Sequence, residues 1–308
     1  MKLMNFYVDA AKKKINVGLV TEAGVVDLNK AADAKDMKLP CNCGFCESHG
    51  ACLTMEKIIA AGEEGKAFVL NAAKGQPAVP EANLIHAPAV TNPEKIMCVG
   101  ANYRDHAAEM TSTASTGAPD YPILFAKYNS ALNCHNGDVI MPKAGERIDY
   151  EAELVVVIGK AAKNVSPESA MDYVYGYSIG NDISMRKQYK TTLSQWTTNK
   201  SPDTFAPVGP YIVTKDELDC FDTNIKLYRN GVIKQNSNSK NMIVDVPHII
   251  SYASQYFTFK PGDIIYTGTM SGVIAGKDSK DPWLQHGDEI VVEIEGIGKL
   301  RNVMVDET

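Results

Sequence analysis

Short apolar segments bounded by Gly, Pro and Asn dominate the chain from Ile96 onward: "KIMCVG", "LVVVIG", "YGYSIG", "IKLYRNGVIK", "GDIIYTG" and "EIVVEIEGIG". Each reads as a β segment. The "RNG" at 229–231 predicts a tight hairpin, because Asn and Gly accept the positive φ angles of a type I′ turn. Before residue 85, strand-like pieces ("KLMNFYV", "INVGLV", "GVVDL") precede a helical stretch, "TMEKIIAAGEEGKAFVLNAA", predicted to break near Gly62 and Gly65. "HAPAVTNPEK" has the turn formers of a connection. Strands without regularly interleaved helices predict an antiparallel or mixed β roll rather than a doubly wound sheet. The expected fold is α+β and β-rich, with a small N-terminal α+β domain at 1–85 and a mixed β-roll domain at 86–308.

Composition narrows the function. The chain has 308 residues, 44% hydrophobic and 22% charged, with a net charge of −6, as expected of a soluble globular protein. Its longest apolar run, Leu154 to Ile158, falls far short of the ~18–20 residues of a membrane helix. "MKLMNFYVDAAKKK" has no signal-peptide h-region, so a cytoplasmic location is expected. The acidic balance and the absence of a Lys/Arg cluster give no footprint for nucleic acid, which leaves a small molecule as partner. No G-x-G-x-x-G follows a strand, and "GVIAGKDS" is one residue short of a P-loop.

Seven cysteines is an odd number, which suits reduced thiols better than a disulfide framework. Cys41, Cys43, Cys46 and Cys52 surround His49 in "CNCGFCESHGAC", enough ligands for a structural Zn²⁺. The spacing matches no common zinc pattern, and a surface loop of free thiols is the alternative.

Two acids open the apolar stretch "DYEAELVVVIG". Alternation along a strand points Glu151 and Glu153 to one side, Ala152 and Leu154 to the other. If that side is buried, the like charges require cations, protonation or a metal. A hard divalent ion such as Mg²⁺ or Mn²⁺ takes carboxylate oxygens and keeps water positions open for substrate; an edge strand with a solvated acidic face is the alternative. Asp182 closes the strand-like "YGYSIGNDIS", so three carboxylates on adjacent strands would surround one cation. Arg186 and Lys200, downstream, are candidates to hold an anionic substrate or developing charge, or else are ordinary surface cations. In "VGANYRDHAAEM", His106 and Glu109 are i and i+3, the spacing of a general base with its positioning acid and also of a plain surface contact. The "MTSTASTGAPDYP" that follows has the composition of a lid.

Taken in order, "VGANYRDHAAEM", "PILFAKYNSAL", "IDYEAELVVVIG", "GYSIGNDISMR", "FAPVGPYIVT", "IIYTGTMSGV" and "GDEIVVEIEGIG" resemble the fumarylacetoacetate hydrolase family. The likeness is to its FAHD-like, 2-hydroxyhepta-2,4-diene-1,7-dioate isomerase-like branch and spans roughly residues 80 to 305. It implies a β-roll catalytic domain, a homodimer and a divalent metal, Mg²⁺ or Mn²⁺. By motif position it implies Glu151, Glu153 and Asp182 as metal ligands, His106 and Glu109 as a lid-borne water-activating dyad, and Lys200 as the active-site lysine. Tyr103, Lys127, Arg186 and Thr269 match positions that contact substrate. Met270 replaces the usual proline of a G-T-P motif, and Tyr189 stands where glutamine is common.

The activity this implies is metal-dependent hydrolysis of a C–C bond in an acylpyruvate-like or 2,4-diketo acid, releasing pyruvate and a carboxylic acid. Oxaloacetate decarboxylation and isomerase or hydratase reactions use the same chemistry and stay open. From another class, a non-catalytic keto-acid-binding protein is the alternative.

Overall fold

The computed structural model describes residues 1–39, 53–110, 121–190, 195–276 and 278–308. The cysteine-rich segment with Cys41, Cys43, Cys46, His49 and Cys52, and residues 111–120 of the expected lid, lie outside them.

The Val-rich run of "AELVVVI" forms the strand Ala152–Ile158, and all seven of its residues are buried. It is covered on both faces because it is an interior strand, antiparallel to Val174–Asn181 on one side and Ile264–Tyr266 on the other. The edge-strand reading of Glu151 and Glu153 is thereby excluded. The sheet runs Gly24–Asp27, Ile15–Thr21, Lys2–Tyr7, Ala206–Thr214, Val174–Asn181, Ala152–Ile158, Ile264–Tyr266, Ile96–Gly100, Ile123–Lys127. It is mixed, since Ile264–Tyr266 pairs parallel with Ile96–Gly100 while most other pairs are antiparallel. Lys2–Tyr7 joins Ala206–Thr214 with Leu3 opposite Ile212, so the N-terminal strands extend the same sheet.

A second, five-stranded sheet contains Asn224–Arg229, Glu289–Ile294 and Gly298–Asp306. Glu289–Ile294 alternates buried and half-buried positions, as a strand with one face on the core should. Ile225, Leu227, Ile290, Val292 and Leu300 pack from this sheet into one core cluster with Leu154, Val156 and Ile179 of the large sheet. The opposite face of the large sheet carries Val155, Val157 and Tyr266, clustered with Leu28, Ile58, Ile59 and Val69 of the N-terminal helices. The architecture is α+β and strand-rich, as the turn-bounded apolar runs predict.

The "RNG" hairpin forms as expected between Asn224–Arg229 and Val232–Asn238, with positive φ at Asn230 and Gly231. The helical stretch splits into Met55–Ala60 and Gly62–Ala73, and the break falls at Gly62 alone. Gly65 instead lies inside the second helix, where a Cβ would stand 2.3 Å from the Ile58 carbonyl oxygen. Its role is close approach of two helix turns rather than chain reversal. Among the described residues, no helix is long and apolar enough to cross a membrane.

Gly180 sits where the large sheet is tightest: a Cβ there would meet Tyr266 Cε1 at 2.4 Å and Val155 Cγ2 at 2.6 Å. Tyr266 has little room to yield, because its hydroxyl donates to the Pro207 carbonyl at 2.9 Å. Gly180→Ala is therefore expected to cost about 1–3 kcal/mol, seen as a lowered urea midpoint. An unchanged midpoint would show that this face has slack.

Candidate active site

The central strand places its acids by simple alternation. Glu153 lies on the face that carries Val155 and Val157, and Glu151 just precedes the strand on the same side. Ala152 pairs with Asn181, so the chain leaving the neighbouring strand delivers Asp182 beside them. The Asp182 amide donates to the Glu151 carbonyl at 2.9 Å, and the Glu151 amide donates to Asn181 Oδ1 at 2.9 Å, which fixes this corner. One carboxylate oxygen from each of Glu151, Glu153 and Asp182 lies within 4.8 Å of the others. Glu151 is 6% exposed, Glu153 1% and Asp182 0%.

Three cations enter from three separate elements. Lys127, at the end of the edge strand Ile123–Lys127, donates to Asp182 Oδ1 at 2.5 Å and to the Ile183 carbonyl at 3.1 Å. Lys200, at the end of the helix Trp196–Lys200, spans Glu151 Oε2 and Asp182 Oδ2, each at 2.7 Å. Arg186, on the strand Ser184–Gln188, joins Glu151 Oε1 at 2.5 Å to Asp149 Oδ2 at 2.9 Å.

Four buried carboxylates thus face three cations. Burial disfavours charge on Glu151, but Lys200 and Arg186 outweigh it and hold the carboxyl well below the usual range. Glu153 is pushed well above its ordinary value by burial, then by Asp182 and Glu151. Burial likewise opposes charge on Lys200, yet Asp182 and Glu151 keep its ammonium above its usual range. A divalent ion would supply the missing positive charge that lets all three acids ionise. The donor set is all oxygen, which suits a hard ion.

Beside this cluster stands the helix Arg104–Met110. His106 Nδ1 lies 3.2 Å from Glu109 Oε2, as the i, i+3 spacing predicts. His106 is buried, and it is close enough to Glu151 to help hold that carboxyl down. Glu109 also accepts from the Gly272 amide at 3.0 Å, and Asp105 accepts from the Ser271 hydroxyl at 2.9 Å.

The substrate-contact candidates divide. Tyr103 is fully buried near Glu153, and among the described residues its hydroxyl has no partner. Thr269 already donates to the Ala152 carbonyl and accepts from Gln235 Nε2, both at 2.9 Å. Lys127 and Arg186 engage the acids directly. Met270 is fully buried, and Tyr189 is exposed.

The motif reading missed Asp149 and the loop that it holds. Asp149 is fully buried and raised by burial, against the opposing effect of Arg186. It accepts from the amides of Ile274 at 2.8 Å and Ala275 at 3.1 Å, besides Arg186. The Gly268 amide of the same loop donates to Glu153 at 2.6 Å. The signal available was the D-x-E-x-E alternation of Asp149, Glu151 and Glu153.

Residues 95–305 match the family described as fumarylacetoacetate (FAA) hydrolase C-terminal. The chain belongs to the fumarylacetoacetate hydrolase family. It is 38% identical to a fumarylacetoacetate hydrolase domain-containing protein 2 homolog of Dictyostelium discoideum, over 98% of this chain and 96% of the relative. An oxaloacetate tautomerase of Xenopus laevis, designated mitochondrial, is 35% identical over 99% and 90% of the two chains. The crystal structure of maleylpyruvate hydrolase from Sphingobium sp. SYK-6 with manganese(II) and pyruvate has a TM-score of 0.78, with 26% identity and 100% coverage of both chains. As a member of the fumarylacetoacetate hydrolase family the chain is an enzyme, which sets aside the non-catalytic binding alternative.

Glu153 allows a test of the charge balance. Its folded-state pKa lies above the ordinary value of 4.5. The metal-free protein should therefore lose stability as pH rises from that value, by at most about 1.4 kcal/mol per pH unit. Glu153→Gln should remove this contribution. Urea unfolding of both chelated proteins at pH 5 and pH 8 checks it; equal pH slopes would contradict the assigned balance.

Proposed function

We propose that this enzyme hydrolyses a C–C bond in an acylpyruvate-like 2,4-diketo acid, releasing pyruvate and a carboxylic acid. The observation that carries the reading is the buried His106, paired with the half-buried Glu109 beside the acid cluster. Glu151, Glu153 and Asp182 would hold Mg²⁺ or Mn²⁺; bound there, the ion polarises the 2-oxo group as a Lewis acid.

The chain's own groups account for the remaining chemistry. Glu109 holds His106 by Nδ1, which leaves Nε2 to take a proton from the water that attacks C4. Its carboxylate then stabilises the imidazolium. As the C3–C4 bond breaks, its electron pair passes to the pyruvate fragment as an enolate, whose charge the Lys200 ammonium would stabilise and whose C3 takes back the proton held by the His106 imidazolium. Arg186 and the Tyr103 hydroxyl are donors for the substrate carboxylate and its neighbouring oxygen. A homodimer in the cytoplasm belongs to the same proposal.

A second reading, tautomerisation or decarboxylation of oxaloacetate, is favoured by the full-length likeness to the Xenopus tautomerase. It needs no water attack. Turnover of acetylpyruvate and oxaloacetate, with Mn²⁺ and after chelation, separates the two. The hydrolase reading expects metal-dependent release of acetate and pyruvate, with His106→Ala slowing it about 10²–10⁴-fold. Activity on oxaloacetate alone would transfer the assignment to the second reading, and an unimpaired His106→Ala would remove the dyad from the mechanism.

A further inference from the structure

The charged cluster ends abruptly in apolar surface, and the change occurs within two elements that also build the cluster. On the edge strand Ile123–Lys127, side chains 123, 125 and 127 share one face. Lys127 is the buried end of that row, on Asp182; Phe125 is half-buried, and Ile123 is 41% exposed. On the helix Trp196–Lys200, the first and last residues are i and i+4 and lie on one side. Lys200 reaches Glu151 and Asp182, while Trp196 stays 46% exposed.

The two elements meet through these side chains. The Trp196 ring stands edge-on to Phe125, with centroids 5.0 Å apart and planes at 62°. Lys200 Nζ lies 5.0 Å from the Phe125 centroid, so one ring touches both the ammonium and the indole. Cross-strand pairing sets Phe125 opposite Cys98 and Ile123 opposite Gly100. Gly100 leaves open the space that a side chain would take: its Cβ would lie 3.5 Å from Trp196 and 3.6 Å from Ile123. The result is an apolar wall continuous with the acid cluster, with its aromatic end uncovered among the described residues.

We propose that Ile123, Phe125 and Trp196 form the subsite for the substrate's tail and select an apolar, flat group, aryl or conjugated acyl, over one tipped with a second carboxylate. The inference rests on the 2-oxo acid head binding at the cluster, as proposed above. A head held by the acids and Lys200 leaves its tail within reach of the Phe125 ring. An aryl tail there covers Trp196 and Ile123 and gains by apolar burial and ring contact. A carboxylate in the same place loses its hydration against apolar side chains, and the three side chains of the wall offer it a single donor, the Trp196 indole N–H. Phe125 also touches Lys200, so Trp196 is the residue whose removal reports on the tail with least disturbance of the head.

Calorimetric titration of the Mn²⁺-loaded enzyme with phenylpyruvate, pyruvate and 2-oxoglutarate tests this without requiring turnover. Phenylpyruvate is expected to bind about tenfold tighter than either of the others. Trp196→Ala should weaken phenylpyruvate about tenfold more than it weakens pyruvate, and Trp196→Phe should retain most of the preference. Equal affinity for phenylpyruvate and pyruvate, tighter binding of 2-oxoglutarate, or equal weakening of all three acids by Trp196→Ala would overturn the proposal. An intact tail preference in a protein that cleaves no diketo acid would overturn the hydrolase reading alone. Failure to bind any of the three acids would overturn both.

Discussion

Mutual repulsion among buried carboxylates is the constraint around which this protein is organised. Asp149, Glu151, Glu153 and Asp182 all sit at the end of one strongly apolar strand system, where an uncompensated charge costs many kcal/mol. Lys127, Arg186 and Lys200 meet most of that cost with direct hydrogen bonds, and Glu153 is the acid left over. Among the described residues the cluster sets four acids against three cations, and its oxygen donors suit a hard divalent ion.

The dyad is tied to this cluster through backbone rather than through side chains alone. The loop at 268–276 gives the Gly268 amide to Glu153, the Gly272 amide to Glu109, and the Ile274 and Ala275 amides to Asp149. Asn102, just before the dyad helix, donates to the Thr267 carbonyl at 2.7 Å and so fixes the other end of the connection. A single loop thus sets the distance between the acid cluster and His106. Met270 is packed in the core within this loop, and its carbonyl accepts from Gln235 Nε2 at 2.8 Å while its neighbours Thr269 and Ser271 hold the Ala152 carbonyl and the Asp105 carboxylate.

Much of this was legible in the sequence where a side-chain period carries the information. The E-x-E alternation put Glu151 and Glu153 on one side, the i, i+3 spacing paired His106 with Glu109, and "RNG" marked its hairpin. The burial of the acids was not legible, because alternation is the same for an edge strand and an interior one; neighbours on both sides decide it. Nor was the loop at 268–276, whose contribution is amide groups that every residue possesses. Asp149 was hidden for a related reason. It continues the alternation of the two glutamates but ends a different strand, Gly145–Asp149, and turns to the loop and Arg186. The meeting of Trp196 with Phe125 depends on a helix and an edge strand far apart in sequence, and no local pattern announces it.

Crystals of the protein grown with Mn²⁺ and measured at an anomalous wavelength show whether the carboxylate cluster takes up one divalent ion. One strong peak per chain is expected, with oxygens of Glu151, Glu153 and Asp182 about 2.1 Å away, and with the Lys127 and Lys200 ammonium groups drawn back from the oxygens that the ion takes. No peak, with the lysines still seated on Glu151 and Asp182, would mean that the cluster is balanced by its own cations and protons and not by a metal.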